Sequence, residues 1–166
     1  RRRAADTTRA CAAMPSTSKP PRLIARPLPL GERAGLSRAL AKAGLPIDDL
    51  EEAGRLFWRF ETLDQVPVGF GGLEVHGRDA LLRSLLTLPP AQKRGIGSAM
   101  VALLEIEAVT LRCRTAWLIT TTAAGFFERL GYESCRREQV PATIRNTRQF
   151  SSLCPDSAAV LMKRLR

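Results

Sequence analysis

Residues 80–120 constrain the fold more than any other part of the chain. An apolar run, "ALLRSLLTL" (80–88), leads through "PPAQKRGIG" (89–97) into a helix-like pattern, "SAMVALLEIEAVTL" (98–111), and then into a second apolar run, "TAWLIT" (115–120). Two strands joined through a helix of this length cannot form a hairpin. They must lie parallel in one sheet, with a right-handed crossover. The helix presents Ile96, Met100, Leu103, Leu104 and Leu111 near one face, which packs on that sheet.

The segments before this unit connect differently. "RLFWRFET" (55–62), "VGFGGLEVHG" (68–77) and "ALLRSLLTL" (80–88) read as strands joined by the short turns at 63–67 and 78–79. Such connections predict an antiparallel meander. Upstream, "RLIARPLPL" (22–30) reads as a first strand weakened by Pro27 and Pro29, and 32–46 as a helix stopped by Gly44 and Pro46. Downstream come a short helix at 122–131 ended by Gly131, a strand at 132–138, a short helix or ordered loop at 141–150, and a last strand at 157–165. The fold class expected is α/β, with a mixed, mostly antiparallel central sheet and helices on both faces.

A length of 166 residues suits one domain, placed at 22–166. Residues 1–21 are basic and poor in large apolar side chains, and are expected to be a disordered extension. Met14 offers a start, which leaves 1–13 as a candidate upstream extension. The segment is Arg-rich but lacks the apolar stripe of a transit peptide. The formal net charge of +10 invites a nucleic-acid partner. Residues 1–30 hold seven Arg or Lys and one Asp, however, so +6 of that charge sits there and the body is only mildly basic. With aromatic residues at 5%, base-stacking platforms are not expected, and no nucleic-acid partner is assigned. No apolar run approaches the roughly 20 residues of a membrane span, so no membrane partner is expected. Cys11, Cys113, Cys135 and Cys154 show no CxxC spacing, and His76 is the only histidine, so no metal site is expected. The thiols read as reduced and the location as cytoplasmic. Cys154 could serve as a nucleophile, but its default reading is a small buried hydrophobe.

The glycine turn at 92–98 admits two readings. Gly95 and Gly97 suit a tight turn. They also suit an anion cradle, because the unpaired N–H groups and partial positive charge of a helix start face outward there, with Lys93 and Arg94 adding full charge. The glycines alone do not decide between them.

The order of elements, with Gln92, Gly95 and Gly97 in a Gln-x-x-Gly-x-Gly signature and "AAGFFERLGY" (123–132) about 30 residues on, resembles the GNAT family of N-acetyltransferases over residues 22–165. A narrower likeness, in "FWRFE", "VGFGGLEV", "PATIRNT" and "FSSLCPDSAAVLMK", is to small acetyltransferases of arsenic-resistance gene clusters. The resemblance implies acetyl-CoA as cosubstrate. Its pyrophosphate would lie on Gln92, Lys93, Arg94, Gly95, Ile96, Gly97 and Ser98, and its pantetheine arm along the backbone of Leu86, Thr87 and Leu88. The thioester would sit between the strands at 82–88 and 115–120.

Acetyl transfer needs a neutral amine, a donor for the carbonyl oxygen and a leaving thiolate. Glu74 is the candidate base. Strand alternation places it on one face with Phe70, Gly72 and His76, and the small Gly72 leaves room for a substrate beside it; the alternative is a solvated strand face. Many relatives carry tyrosine as general acid where Phe127 stands, so the acid is open. Arg59, Arg83 and Arg145 are candidate substrate contacts, since guanidinium forks match carboxylate-like groups; for Arg83 a structural ion pair competes equally. The threonines at 120–122 offer hydroxyls, or a helix cap.

The expected function is acetyl-CoA-dependent N-acetylation of a small primary amine, amino-acid-like or an organoarsenical, by a monomer or homodimer. A non-catalytic acyl-CoA sensor on the same fold and a basic nucleic-acid binder are the competing readings.

Overall fold

The computed structural model describes residues 21–92 and 95–166. Apart from Pro21, the expected extension lies outside the described residues, as do Lys93 and Arg94. The chain runs β1 (Leu23–Pro27), α1 (Ala34–Lys42), β2 (Arg55–Thr62), β3 (Pro67–His76), β4 (Asp79–Thr87), α2 (Ile96–Thr110), β5 (Thr115–Thr120), α3 (Ala124–Arg129), β6 (Glu133–Cys135), α4 (Ala142–Arg145) and β7 (Ala159–Arg164). These strands form one sheet in the order β1-β2-β3-β4-β5-β7-β6. The meander β1 to β4 is antiparallel. β4 and β5 are parallel, as the crossover requires.

Alternation along the strands sorts the core into two layers. Leu73, Ala80, Leu82, Ala116 and Leu118 face α2, where Met100, Leu104 and Ala108 are fully buried. Leu81, Trp117, Ile119 and Val160 face the other way, onto Ile144 of α4. Phe57 and Phe70 share that second face with Leu36 and Leu40 of α1. Each large aliphatic side chain so buried contributes about 1.5–3 kcal/mol. Two glycines on β3 let α2 come close: a Cβ on Gly69 would lie 2.7 Å from the Met100 thioether, and one on Gly71 2.9 Å from Leu104.

Several elements differ from the sequence reading, and the first strand, expected over 22–30, ends at Pro27. The strand at 132–138 shrinks to Glu133–Cys135, because a 3-10 turn at Arg137–Gln139 takes over the chain. The segment at 141–150 becomes α4 followed by a π turn at Gln149–Leu153, which extends past the predicted end. The helix at 32–46 is shorter, Ala34–Lys42, because Arg33 is drawn out of it. The buried Arg33 guanidinium donates to the carbonyls of Leu28, Leu50 and Arg55. Among the described residues no helix is long and apolar enough to cross a membrane.

Candidate active site

The sheet opens between β4 and β5. Their parallel pairing runs from Asp79–Thr115 to Leu82–Leu118 and stops there. Beyond it Ile119 and Thr120 pair only with β7, and β4 follows β3. A bulge drives the separation. The β3–β4 register passes from Phe70–Leu86 to Gly72–Arg83, so Ser84 and Leu85 together face Gly71. Ser84 takes a left-handed φ of 53°. A bulge of this kind bends one strand and leaves peptide groups unpaired.

A cleft of about 860 Å³ occupies the opening, a size that suits a small-molecule site. Its walls are Leu82–Leu85 and Thr87 on β4, Leu118–Thr120 on β5 with Thr121 and Thr122 just after it, the start of α2, α3, the 44–46 loop and the stretch from Gln149 to Pro155. A second concavity, about 790 Å³, lies between α2 and the end of β7 around the Glu105–Lys163 ion pair, and shares no wall with it.

One end of the cleft is built from backbone. Gly95 caps α2 with a φ of 71°, a left-handed conformation that glycine adopts freely, and no side chain caps the helix. The N–H groups of the first turn therefore have no intrahelical acceptor. A Cβ on Gly97 would sit 3.3 Å from the Phe126 ring and 3.6 Å from Thr87 Oγ1, so the glycine keeps this floor open. Gln92, Gly95, Ile96, Gly97 and Ser98 all line the cleft, and the Gln92 amide donates to the Thr87 carbonyl. These features fit the pyrophosphate of coenzyme A.

The β4 edge refines one expectation. Leu88 donates its N–H to the Val68 carbonyl. Antiparallel alternation then turns the peptide groups of Leu86 and Leu88 towards β3, and those of Leu85 and Thr87 towards the opening. Thr87 lines the cleft, whereas the Leu86 and Leu88 side chains pack beside the α1 core. The edge available to a pantetheine arm is thus Leu85 and Thr87.

The other end is built from side chains. Arg83 lines the cleft yet is only 4% exposed. Its two terminal nitrogens each donate to Asp49 at 2.5 Å, and Nη1 also donates to Glu74 at 2.8 Å. Arg55 completes the cluster, 3.6 Å from Asp49 and 3.4 Å from Glu74. Two cations and two carboxylates therefore balance below the cleft. Burial pushes the Asp49 carboxyl up, but the hydrogen bonds and charge of Arg83, with the charge of Arg55, hold it below the usual carboxylate range. Burial likewise opposes the charge on Arg83, and Asp49 and Glu74 override it, raising its pKa.

This cluster bears on Glu74. The carboxylate is 1% exposed, bonded to Arg83 and within 3.3 Å of His76. It does not line the cleft, and the room expected beside Gly72 is taken by Phe57, whose ring lies 2.4 Å from where a Cβ would stand. Among the described residues no Asp, Glu or His lines the cleft at all. Arg59 and Arg145 are not brought there either. Arg59 is held on β2 by Glu61, which also binds Arg26, and Arg145 is exposed at the end of α4. Glu61, the other carboxylate near these arginines, is itself kept below its usual pKa by the Arg26 hydrogen bond, against burial, with help from Arg59.

Thr120 caps the next turn, accepting from the N–H groups of Ala123 and Thr122. Phe127 lines the cleft and stacks edge-on against Tyr132. Tyr132 faces away into the α2 core, and burial lifts its phenol far above the ordinary range. Cys154 lines the cleft with its thiol pushed up by burial, which suits the unreactive reading. Sequence reasoning missed Asp49 and Gln149. Asp49 sits in the acidic loop "DDLEE" (48–52), which by composition reads as surface; only the buried Leu50 beside it hints that this loop turns inward.

Residues 53–134 match the family model described as the acetyltransferase (GNAT) domain. Residues 53–134 are thus similar to a GNAT acetyltransferase domain, and coenzyme A is the ligand of solved neighbours with this fold. N-acetylglutamate synthase from Neisseria gonorrhoeae, crystallised with coenzyme A and L-arginine, aligns with a TM-score of 0.71 at 17% identity, over 88% of this chain and 34% of that one. Rv2747 from Mycobacterium tuberculosis, in complex with CoA, aligns at 0.69 and 20% identity over 86% of this chain and 99% of that one. By sequence, the uncharacterized protein YyaT of Bacillus subtilis (strain 168) is 35% identical over 74 residues, 43% of this chain and 49% of its own. The chain thus spans about half the length of its curated relative and about a third of the synthase.

Proposed function

We propose that the protein is an N-acetyltransferase that moves the acetyl group of acetyl-CoA onto a small primary amine. The observation that carries this reading is the opening between β4 and β5, with an uncapped helix start at one end and a bulge at the other. The backbone N–H groups at Ile96, Gly97 and Ser98 would hold the pyrophosphate. Lys93 and Arg94 would add charge. The edge of Leu85 and Thr87 would pair with the pantetheine amides as an added strand. Peptide groups freed by the bulge at Ser84 would face the thioester oxygen, where negative charge develops.

The acceptor would enter beside Arg83. With its terminal nitrogens committed, Arg83 keeps Nε buried and without a hydrogen-bond partner. That N–H suits an oxygen of the acceptor. A zwitterion, neutral overall, also suits a cluster whose charges already cancel. An amino-acid-like amine fits both points, and the sequence likeness to arsenic-resistance acetyltransferases makes an organoarsenical amino acid one member of the class. Glu74 would act here by fixing Arg83; a role as base requires it to leave that ion pair. Arg59 and Arg145 stay outside this picture.

One observation favours a second reading, an acyl-CoA-binding sensor: no carboxylate, histidine or tyrosine among the described residues lines the cleft. The two readings separate in one experiment. Free thiol is followed as acetyl-CoA is mixed with a panel of amino acids and their decarboxylated amines. Amine-dependent thiol release supports the transferase. Tight acetyl-CoA binding with no release for any amine supports the sensor.

A further inference from the structure

Four buried side-chain polar atoms among the described residues lack a hydrogen-bond partner: Arg55 Nε, Arg83 Nε, Tyr132 Oη and Gln149 Oε1. Of these residues, Arg83 and Gln149 line the cleft. They are opposite in sense. Arg83 Nε–H can only donate, and Gln149 Oε1 can only accept. Leaving such an atom unpaired destabilises the fold, so each needs an explanation.

Gln149 is held in place from several sides. It opens the π turn, a form of helix found often at functional sites. The Cys154 N–H returns to the Gln149 carbonyl at 3.0 Å, and the Thr147 hydroxyl accepts the next peptide N–H, that of Phe150. Arg137 stacks over the Phe150 ring at 4.2 Å and donates to its carbonyl. The Cys154 thiol lies beside the Gln149 amide, whose hydrogen bonding offsets part of the upward push of burial on that thiol, and Oε1 itself meets no hydrogen-bond partner.

The acceptor's ammonium must lose a proton before it can attack. A carboxylate in the cleft would hold that proton on the nitrogen by charge. A neutral amide oxygen accepts an N–H without that penalty. We propose that Gln149 Oε1 takes a hydrogen bond from the acceptor amine and positions the neutral nitrogen against the thioester carbon. This rests on the acetyltransferase reading above. The nitrogen–carbon bond forms and the carbon–sulfur bond breaks. The proton that nitrogen loses ends on the departing thiolate, giving amide and free thiol in equal amounts.

With no carboxylate or histidine among the described residues lining the cleft, the supply of neutral amine is set by the amine's own pKa. An α-amine, with a pKa near ~8, is neutral far more often at pH 7 than an alkylamine near ~10.4, by a factor of roughly 200. The class selected is therefore amines of low pKa beside a carbonyl or similar withdrawing group.

The test uses the full chain, acetyl-CoA, and two probes, glycinamide and propylamine, with thiol release measured from about pH 6 to about pH 10. Wild type should favour glycinamide at pH 7 by roughly 100-fold in kcat/KM, and the preference should fade as pH rises. Gln149→Leu should raise KM for glycinamide about tenfold, with coenzyme A affinity within about twofold by calorimetry. Its melting temperature should stay level or rise, because an unpaired polar atom is removed. Gln149→Glu should lower KM for propylamine, lower kcat at pH 7 and move the pH profile upward. Unchanged kinetics in Gln149→Leu, or a higher kcat at pH 7 in Gln149→Glu, overturns the role of Gln149 while leaving the transferase intact. Loss of coenzyme A binding in both variants makes the residue structural and also overturns it. Absence of thiol release from wild type with either probe overturns the amine class and, if it extends to the whole amine panel, the transferase reading with it.

Discussion

The two ends of the cleft are made differently. The proposed phosphate end is local and made of backbone: within seven residues, Gln92 to Ser98, the chain ends a turn, caps a helix with Gly95 and clears a floor with Gly97. The proposed acceptor end is non-local and made of side chains. Arg83 from β4 meets Asp49 from the α1–β2 loop and Glu74 from β3, while Gln149 arrives from a turn near the end of the chain. A backbone site tolerates change in side chains but not in shape. A side-chain site tolerates little change in either, because each buried charge depends on its partner. Binding of the common cosubstrate can thus be kept while the acceptor end is altered.

The largest effect should come from reshaping the backbone end. Gly97→Asp would place a carboxylate where an anion belongs and push against Phe126. Coenzyme A affinity should fall by roughly 100-fold or more, since opposed like charges cost several kcal/mol. Titration calorimetry measures it. The melting temperature should move by only a few degrees. A variant that binds as wild type does would break the comparison at once.

The next effect belongs to the side-chain end and appears as stability. Asp49→Ala leaves Arg83 buried without its main partner, and should cost about 3–5 kcal/mol by urea unfolding at pH 7. The pH dependence follows from the lowered Asp49 pKa. A carboxyl depressed by folding adds stability that is present above its unfolded pKa, near 3.8, and is lost as pH falls through the lower folded value. Wild type should therefore lose stability on going from about pH 5 to about pH 3, and Asp49→Asn should flatten that acid limb. An equally steep limb in the variant would move the effect to other carboxylates, Glu61 first.

The smallest effects should come from the arginines outside the cleft. Arg145→Ala should change stability by less than about 0.5 kcal/mol and kcat/KM by less than about twofold. Arg59→Ala removes the half-exposed partner of the buried Glu61, which keeps Arg26, and should cost about 1 kcal/mol and leave acetyl transfer alone. A tenfold loss of kcat/KM in either would extend the acceptor site beyond the cleft.

The same contrast explains what could be read from the chain alone. The meander, the crossover and the parallel pairing of β4 with β5 follow from turn lengths and apolar periods, which are local signals. So does the glycine turn. Glu74 could not be read the same way. Strand alternation gives its face correctly, but what lies on that face is Phe57 from β2 and Arg83 from β4, and no local pattern reports either. Asp49 hides among surface-like acids, and Gln149 has no period or motif to single it out. Both are recognised only by what they touch or fail to touch. Arg59 misleads for a related reason: its strand position is right, but Glu61, two residues on, already holds it.

The most direct test of the contrast compares Gly97→Asp with Asp49→Asn in one calorimetric titration with coenzyme A. The account predicts saturable one-to-one binding to wild type, retained by Asp49→Asn within about threefold and lost by Gly97→Asp. Binding lost in Asp49→Asn and kept in Gly97→Asp would contradict it.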